Sequence, residues 1–291
     1  MKIREYNSEE FEMAGVWSGM PMREYLEAPC ESASRLKLIL ESPLTYHRKR
    51  GGLIQDETTP AMNIGTALHS VLLEGNLDYY VKPTHYANGE KPWNGNATEC
   101  KAWIASHQDK PIITEAELDY INSAACYVQT HHHTSGLLNG GNSELSVFAR
   151  IKGRLFKGRF DYFKQPGIIV DLKTVTDASS RRFGQAVINY GWHMQASLYM
   201  KLASAVGVAA PKFFWVALQK GDMPLVNVKR HGDFSKMLGD EAMAHAMNIL
   251  DKCEATGTWP EWADDDEGCI KPLRVPQWAL NQGDDEIDLN G

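Results

Sequence analysis

Two runs, Gly158-Arg159-Phe160-Asp161-Tyr162-Phe163 and Gly167-Ile168-Ile169-Val170-Asp171-Leu172-Lys173, constrain this chain more than any other stretch. Between them, Lys164-Gln165-Pro166-Gly167 is turn chemistry, because proline presets φ and glycine permits positive φ. The runs therefore read as a β-hairpin centred near Pro166. With no bulge, Asp161 lies directly opposite Asp171, with Cβ atoms about 4.5–5.5 Å apart. Lys173, two residues on, shares a face with Asp171. Phe160, Tyr162, Ile168, Val170 and Leu172 are expected on the other face, as core. Opposed carboxylates repel unless a cation lies between them, and hard divalent cations take carboxylate oxygens. The alternative is an ordinary polar face on which Lys173 screens two acids. A one-residue bulge would instead place the two acids on opposite faces.

The 291 residues suffice for a substantial core, and 23% charged with 43% hydrophobic residues is ordinary for a globular chain. The charged start Met1-Lys2-Ile3-Arg4-Glu5 and the lack of a run of about 18 apolar residues predict no leader or membrane span, hence a cytoplasmic protein. Five cysteines, none in Cys-x-x-Cys spacing, argue for reduced thiols and against a zinc or iron–sulfur site. The net charge of −7 does not suggest a nucleic-acid binder, but the charge is uneven. Nine Lys/Arg face four Asp/Glu from Glu144 to Arg182, whereas three face eleven from Asp251 to Gly291. A basic region around the hairpin can meet phosphates despite the global sign.

Residues 1–30 show little periodicity and read as an arm. Ser32 to Leu40 reads as a capped helix that stops before Ser42-Pro43. The cluster His47-Arg48-Lys49-Arg50 reads as a solvated loop. Ala67, Leu68, Val71 and Leu72 have helical spacing, with His69 beside the stripe and Gly65 one turn earlier. Residues 75–143 read as an insertion, containing a helix that opens at a Thr114/Glu117 capping box. Its C-terminal His131-His132-His133 complements the helix dipole or, alternatively, binds a metal. Strands are expected at Glu144–Arg150 and Arg154–Phe163 and, after the hairpin, at Lys212–Leu218 and Leu225–Lys229. Phe183 to Ala205 reads as helix interrupted at Gly191, with Gln195 and Tyr199 on one face, and Asp233 to Cys253 as a last helix. Residues 260–291 read as an acidic tail containing Trp and Pro.

This order (the His69 helix, the Glu144 strand, the Asp161 and Asp171 strands, the Gln195 helix, a strand) resembles the α-β-β-β-α-β core of the PD-(D/E)xK nuclease superfamily. The matching residues are Gly158-x-x-Asp161, Asp171-Leu172-Lys173-Thr174 and Gln195-x-x-x-Tyr199. Gly65-x-x-x-His69 narrows the likeness to the RecB-like branch. Ser32-Ala33-Ser34-Arg35-Leu36, Gly65-Thr66-Ala67-Leu68-His69 and Thr258-Trp259-Pro260 resemble the RecE-type, exonuclease VIII nucleases of phages and prophages. The resemblance implies an α/β fold with a mixed central sheet flanked by helices, over residues 31–259. It implies that His69, Asp161, Asp171, the Leu172 carbonyl and, less directly, Glu144 ligate Mg²⁺, with Mn²⁺ substituting. Lys173 would orient or deprotonate the attacking water, and Gln195 and Tyr199 would position the water, Lys173 or the phosphate. Ser34, Arg35, Arg159, Arg181 and Arg182 are expected to contact DNA.

The implied activity is degradation of linear double-stranded DNA from 5′ ends, leaving 3′ tails for a single-strand-annealing recombinase. The implied assembly is a ring trimer or tetramer acting in a bacterial host cell. Rival readings are a structure-specific or helicase-linked endonuclease, and a non-catalytic DNA-binding module on the same fold.

Overall fold

The computed structural model describes residues 1–54, 60–75, 79–221 and 224–263. Among these, seven strands form one sheet whose spatial order is the order along the chain: β1 (Ile3–Glu5), β2 (Gly15–Ser18), β3 (Asn142–Ile151), β4 (Arg154–Lys164), β5 (Ile168–Val175), β6 (Lys212–Gln219) and β7 (Leu225–Arg230). From β2 to β5 the neighbours are antiparallel. β5 and β6 are parallel, and β6 and β7 antiparallel. A parallel pair needs a crossover, which α7 (Ser180–Asn189) and α8 (Trp192–Ala205) supply. The mixed α/β architecture expected from the sequence is the one observed.

One face of the sheet carries the main core. Phe160, Phe163, Ile169 and Phe213 pack there with Met194, Leu198 and Leu202 of α8, and with Met243 and Leu250 of α9 (Asp233–Thr256). The close approach depends on Gly158. A Cβ there would lie 2.8 Å from Leu202 Cδ1 and 2.8 Å from Tyr199 Cε1. The other face is covered by α4 (Pro60–His69) and α6 (Glu115–Thr130), through Ala67, Leu68, Ile121, Ala124 and Val128, with α5 (Thr98–Ser106) between them along the chain. The Thr114/Glu117 capping box is present at the start of α6. That helix is thus part of the packed fold, although it falls in the stretch read as an insertion.

Three expectations need correction. Residues 1–30 are not an arm. They supply β1, β2 and the short helix α1 (Met22–Glu27), and bury Val16, Trp17, Met20 and Tyr25. Trp17 packs with Phe11, and Phe11 in turn with Phe148 of β3. His47 to Arg50 is not a loop but the last turn of α3 (Pro43–Arg50). Ser42 ends α2 (Ala33–Glu41) and also caps α3 by accepting from Thr45 N, and Pro43 takes the first helical position, where its missing N–H costs nothing. Lastly, the alternation along β4 breaks. Tyr162, Val170 and Leu172 share one face, but Phe160 packs with Phe163 and Ile169 on the other. Of the tail, residues 264–291 lie outside the described residues. No helix among the described residues is long and apolar enough to cross a membrane.

Candidate metal and hydrolytic site

The break in alternation marks the site. Between β3 and β4 the ladder pairs Ser143 with Tyr162 and Leu145 with Phe160, and skips Glu144 and Asp161. Glu144 has φ +49°, a left-handed conformation that non-glycine side chains rarely adopt. Between β4 and β5 the pairs are Lys164–Ile168, Phe163–Ile169 and Tyr162–Val170. This is the register that sets Asp161 opposite Asp171, but the ladder stops one pair short. In its place Asp161 Oδ2 accepts a hydrogen bond from Leu172 N at 2.7 Å. β3 and β4 resume pairing on either side of the two skipped acids, whereas the β4–β5 ladder ends beside Asp161.

α4 delivers His69 into this opening, at the point where its α-helical turns widen into a π-helical turn over Ser70–Glu74. His69 Nε2 lies 3.7 Å from Asp161 Oδ2 and 3.3 Å from the Leu172 carbonyl oxygen. On its other side, His69 Nδ1 lies 3.6 Å from Glu144 Oε1. Ligand atoms of His69, Glu144 and Asp161 all fall within 4.8 Å of one another, the one such group of three among the described residues. The His131–His133 triplet forms no such group. A cleft of about 860 Å³ opens onto the site, lined by His69, Glu144, Arg159, Asp161 and Tyr199.

Asp171 stands one step aside and is fully buried. Its Oδ1 accepts from Gln195 Nε2 at 3.1 Å, and Lys173 Nζ lies 2.8 Å from its Oδ2. The lysine contact is close but off the hydrogen-bonding direction, so Oδ2 remains a buried acceptor without a directed donor. Tyr199 reaches the same strands, accepting from Arg159 N at 3.4 Å. Its phenol is held well above its usual range, chiefly by burial, and stays protonated.

Electrostatics bind the group together. Burial, opposed by His69 and reinforced by Asp171, pushes the Asp161 carboxyl up to about 7. Burial would lower His69, but Asp161 and Glu144 outweigh it and raise the imidazole to about 9. Burial works against the Glu144 carboxylate too, but His69 and Arg159 hold it below its ordinary range. Without a cation, the charged imidazole is what reconciles these acids. A divalent cation fits the same donors: carboxylate oxygens, a carbonyl, one imidazole, and a buried Asp171 oxygen lacking a directed partner.

The residues expected to contact DNA are placed variously. Arg181 and Arg182 are exposed at the start of α7. Arg35 donates to the Cys30 carbonyl at 2.7 Å, and Ser34 Oγ sits 3.0 Å from Ser32 Oγ. Arg159 turns inward, its Nε 2.7 Å from Glu144 Oε2 and its Nη1 2.8 Å from the Met20 carbonyl, so it anchors Glu144. Sequence reasoning missed that role. The signal was the two-residue Lys152-Gly153 turn, which fixes the β3–β4 register and sets Arg159 opposite Ser146, two residues from Glu144. Also missed was Lys157, buried under the site, which donates to the carbonyls of Tyr25, Leu26 and Ala28 at 2.6, 2.8 and 2.8 Å and so secures the end of α1.

The fold is that of a PD-(D/E)xK-type nuclease domain. Residues 32–272 match the family described as "PDDEXK-like domain of unknown function (DUF3799)", and the chain belongs to that family. Among solved structures it is similar to a "Putative exonuclease" from Eubacterium rectale. The TM-score is 0.63 at 14% identity, over 91% of this chain and 99% of that one, a likeness of fold. The structure of SSO0001 aligns at a TM-score of 0.28 and 14% identity, over 71% of this chain and 90% of that one, too low to bear on the argument. None of the curated proteins matches the chain. Family and fold together support a nuclease function, and nucleases of this type typically use divalent metal ions.

Proposed function

We propose that this chain is a divalent-metal-dependent exodeoxyribonuclease of the RecE, exonuclease VIII type, which degrades linear double-stranded DNA 5′→3′ and leaves 3′ single-stranded tails for phage-type recombination. The observation that carries the reading is the meeting of His69, Glu144, Asp161 and the Leu172 carbonyl beside the Gln195–Asp171–Lys173 chain. His69, Asp161, Asp171 and the Leu172 carbonyl, with Glu144, would hold Mg²⁺ or Mn²⁺. Such an ion neutralises charge developing on the phosphate and lowers the pKa of bound water. Gln195 fixes the Asp171 carboxylate. The Lys173 ammonium, held by Asp171, is placed to orient the attacking water and to meet the charge of the phosphorane-like transition state. Arg159 keeps Glu144 turned toward His69. Buried, protonated Tyr199 offers a neutral hydroxyl at the cleft wall.

The partners follow from the same reading: duplex ends, a single-strand-annealing recombinase, and copies of this chain in a ring trimer or tetramer, in the cytoplasm of a bacterial host. The test compares linear duplex with covalently closed circles in Mg²⁺ or Mn²⁺. Release of acid-soluble nucleotides from linear DNA alone, stopped by chelator, is expected. Cutting of closed circles as fast as linear duplex would replace the exonuclease with an endonuclease of the same fold.

A further inference from the structure

Two aromatic rings beside Lys173 have no part in the hydrolysis described above. α7 ends at Asn189, and Gly191 (φ +71°) reverses the chain into α8. The turn sets Tyr190 against Trp192, with ring centroids 5.1 Å apart and planes 30° apart. Trp192 has a structural reason to be there, since it also packs on Phe183 at 5.9 Å. Tyr190 does not: it is 58% exposed. Cations bracket the pair. Lys37 Nζ lies 6.0 Å from the Tyr190 ring, and Lys173 Nζ lies 5.2 Å from the Trp192 ring. The row Lys37–Tyr190–Trp192–Lys173 thus ends on the ammonium that contacts Asp171.

Tyr190 and Trp192 are also common to the walls of two clefts. One, of about 420 Å³, contains Ser34, Arg35, Gln195 and Tyr199. The other, of about 700 Å³, contains Leu172, Lys173, Thr174 and Arg182. Each cleft therefore carries two residues of the candidate hydrolytic set and an arginine, whereas His69, Glu144 and Asp161 line the larger cleft described above. An exposed ring, backed by a second ring and flanked by cations, suits a ligand with a flat π-face and negative charge on either side. A nucleotide within a strand has that form. Lys37 also lies 3.4 Å from Glu41 Oε1, and Lys173 2.8 Å from Asp171 Oδ2, so each cation is shared between a carboxylate and a ring.

We propose that Tyr190, backed by Trp192, is the platform on which the nucleobase adjoining the scissile phosphate stacks once it has left the duplex. The site then selects a base-bearing strand rather than any phosphodiester, without reading base identity. This rests on the nuclease reading and adds a substrate-binding residue to it.

The test is a double-mutant cycle that pairs Tyr190→Ala with removal of a base from the cut strand, using duplexes with an abasic nucleotide at successive terminal positions. The cycle is read twice: as kcat/KM in Mn²⁺, and as affinity by fluorescence anisotropy in Ca²⁺. Tyr190→Ala should lose about 5- to 150-fold on intact DNA, the worth of one stacked base. At one abasic position it should lose little more, because the partner is already gone. Tyr190→Phe should recover most of the loss, since the ring does the stacking. Losses that multiply independently at every position overturn the proposal, as does an unaltered Tyr190→Ala. If wild type cuts no DNA yet the binding cycle still couples, the hydrolytic reading falls and only the stacking of a base on Tyr190 stands. If wild type cuts but the cycle never couples, the platform falls alone.

Discussion

His69 must shed a proton before it can bind a metal ion, and this has a measurable consequence. In the metal-free protein the imidazole titrates at about 9, because Asp161 and Glu144 outweigh the burial that opposes its charge. At pH 7 it is protonated, and a ligating nitrogen must be neutral. Removing a proton held to about 9 costs about 2.7 kcal/mol at pH 7, or about a hundredfold in apparent affinity. Apparent Mn²⁺ affinity should therefore rise about tenfold per pH unit from 7 to 9 and level off above. Below pH 7 the slope should steepen, because the Asp161 carboxyl, pushed up to about 7, takes up a second proton. Titration calorimetry in buffers of different ionisation enthalpy reads both the affinity and the protons released. His69→Asn should bind more weakly, and with the imidazolium gone the Asp161 carboxyl should rise further, so the remaining pH dependence passes to that carboxyl. A wild-type affinity independent of pH between 7 and 9 contradicts this.

Gly158→Ala would place a methyl group 2.8 Å from both Leu202 Cδ1 and Tyr199 Cε1. Overpacking of this kind costs about 1–3 kcal/mol, so urea denaturation should show that loss, with reduced activity as Tyr199 shifts; unchanged stability counts against the packing account. Lys157→Met removes the ammonium from the Tyr25, Leu26 and Ala28 carbonyls, of which Ala28 keeps Cys30 N as a donor, and stability should fall by about 1–3 kcal/mol in the same assay. A neutral result would show that the ammonium does not secure α1. His231 is held down to about 4, by burial first and by His193 and Lys236, against Asp240. It accepts or donates with Ser197 and Ser235 as a neutral ring. The unfolded chain binds its proton from about pH 6.5 downward, so the stability this ring contributes is complete above that pH and lost as pH falls toward 4. Denaturation at several pH values should show a shallower acid loss for His231→Gln, and an identical acid slope would remove His231 from the explanation.

The hairpin was legible because its information is local. Pro166 and Gly167 fix the turn, and residues 162–164 pair with 168–170 in the expected register. His69 and Gln195 were found through the ordered likeness of distant segments, which no local pattern supplies. The flip of Phe160 onto the main core was not legible, since it depends on Glu144 adopting φ +49° in the neighbouring strand. Nor were β1 and β2, at three and four residues too short for a period-2 pattern to register. They are held in place by aromatic packing between Phe11, Trp17 and Phe148, partners far apart in sequence. The second helix after Ser42 was hidden because Ser-Pro serves equally as a stop and as a start. Arg159 is expected at DNA from the sequence, but its inward turn follows from the acid across the strand pair.

On the proposed reading, one metal-assisted site built on Asp161, Asp171, Lys173 and His69 hydrolyses DNA from an end. The deciding assay follows linear duplex labelled at the 5′ or the 3′ end over time with Mg²⁺, Mn²⁺ or neither, with Lys173→Ala and Asp171→Ala run alongside. Wild type should release the 5′ label first and only with metal, and both variants should bind the duplex yet release nothing. If wild type and Lys173→Ala bind DNA alike and neither cuts it, the fold serves here as a binding module.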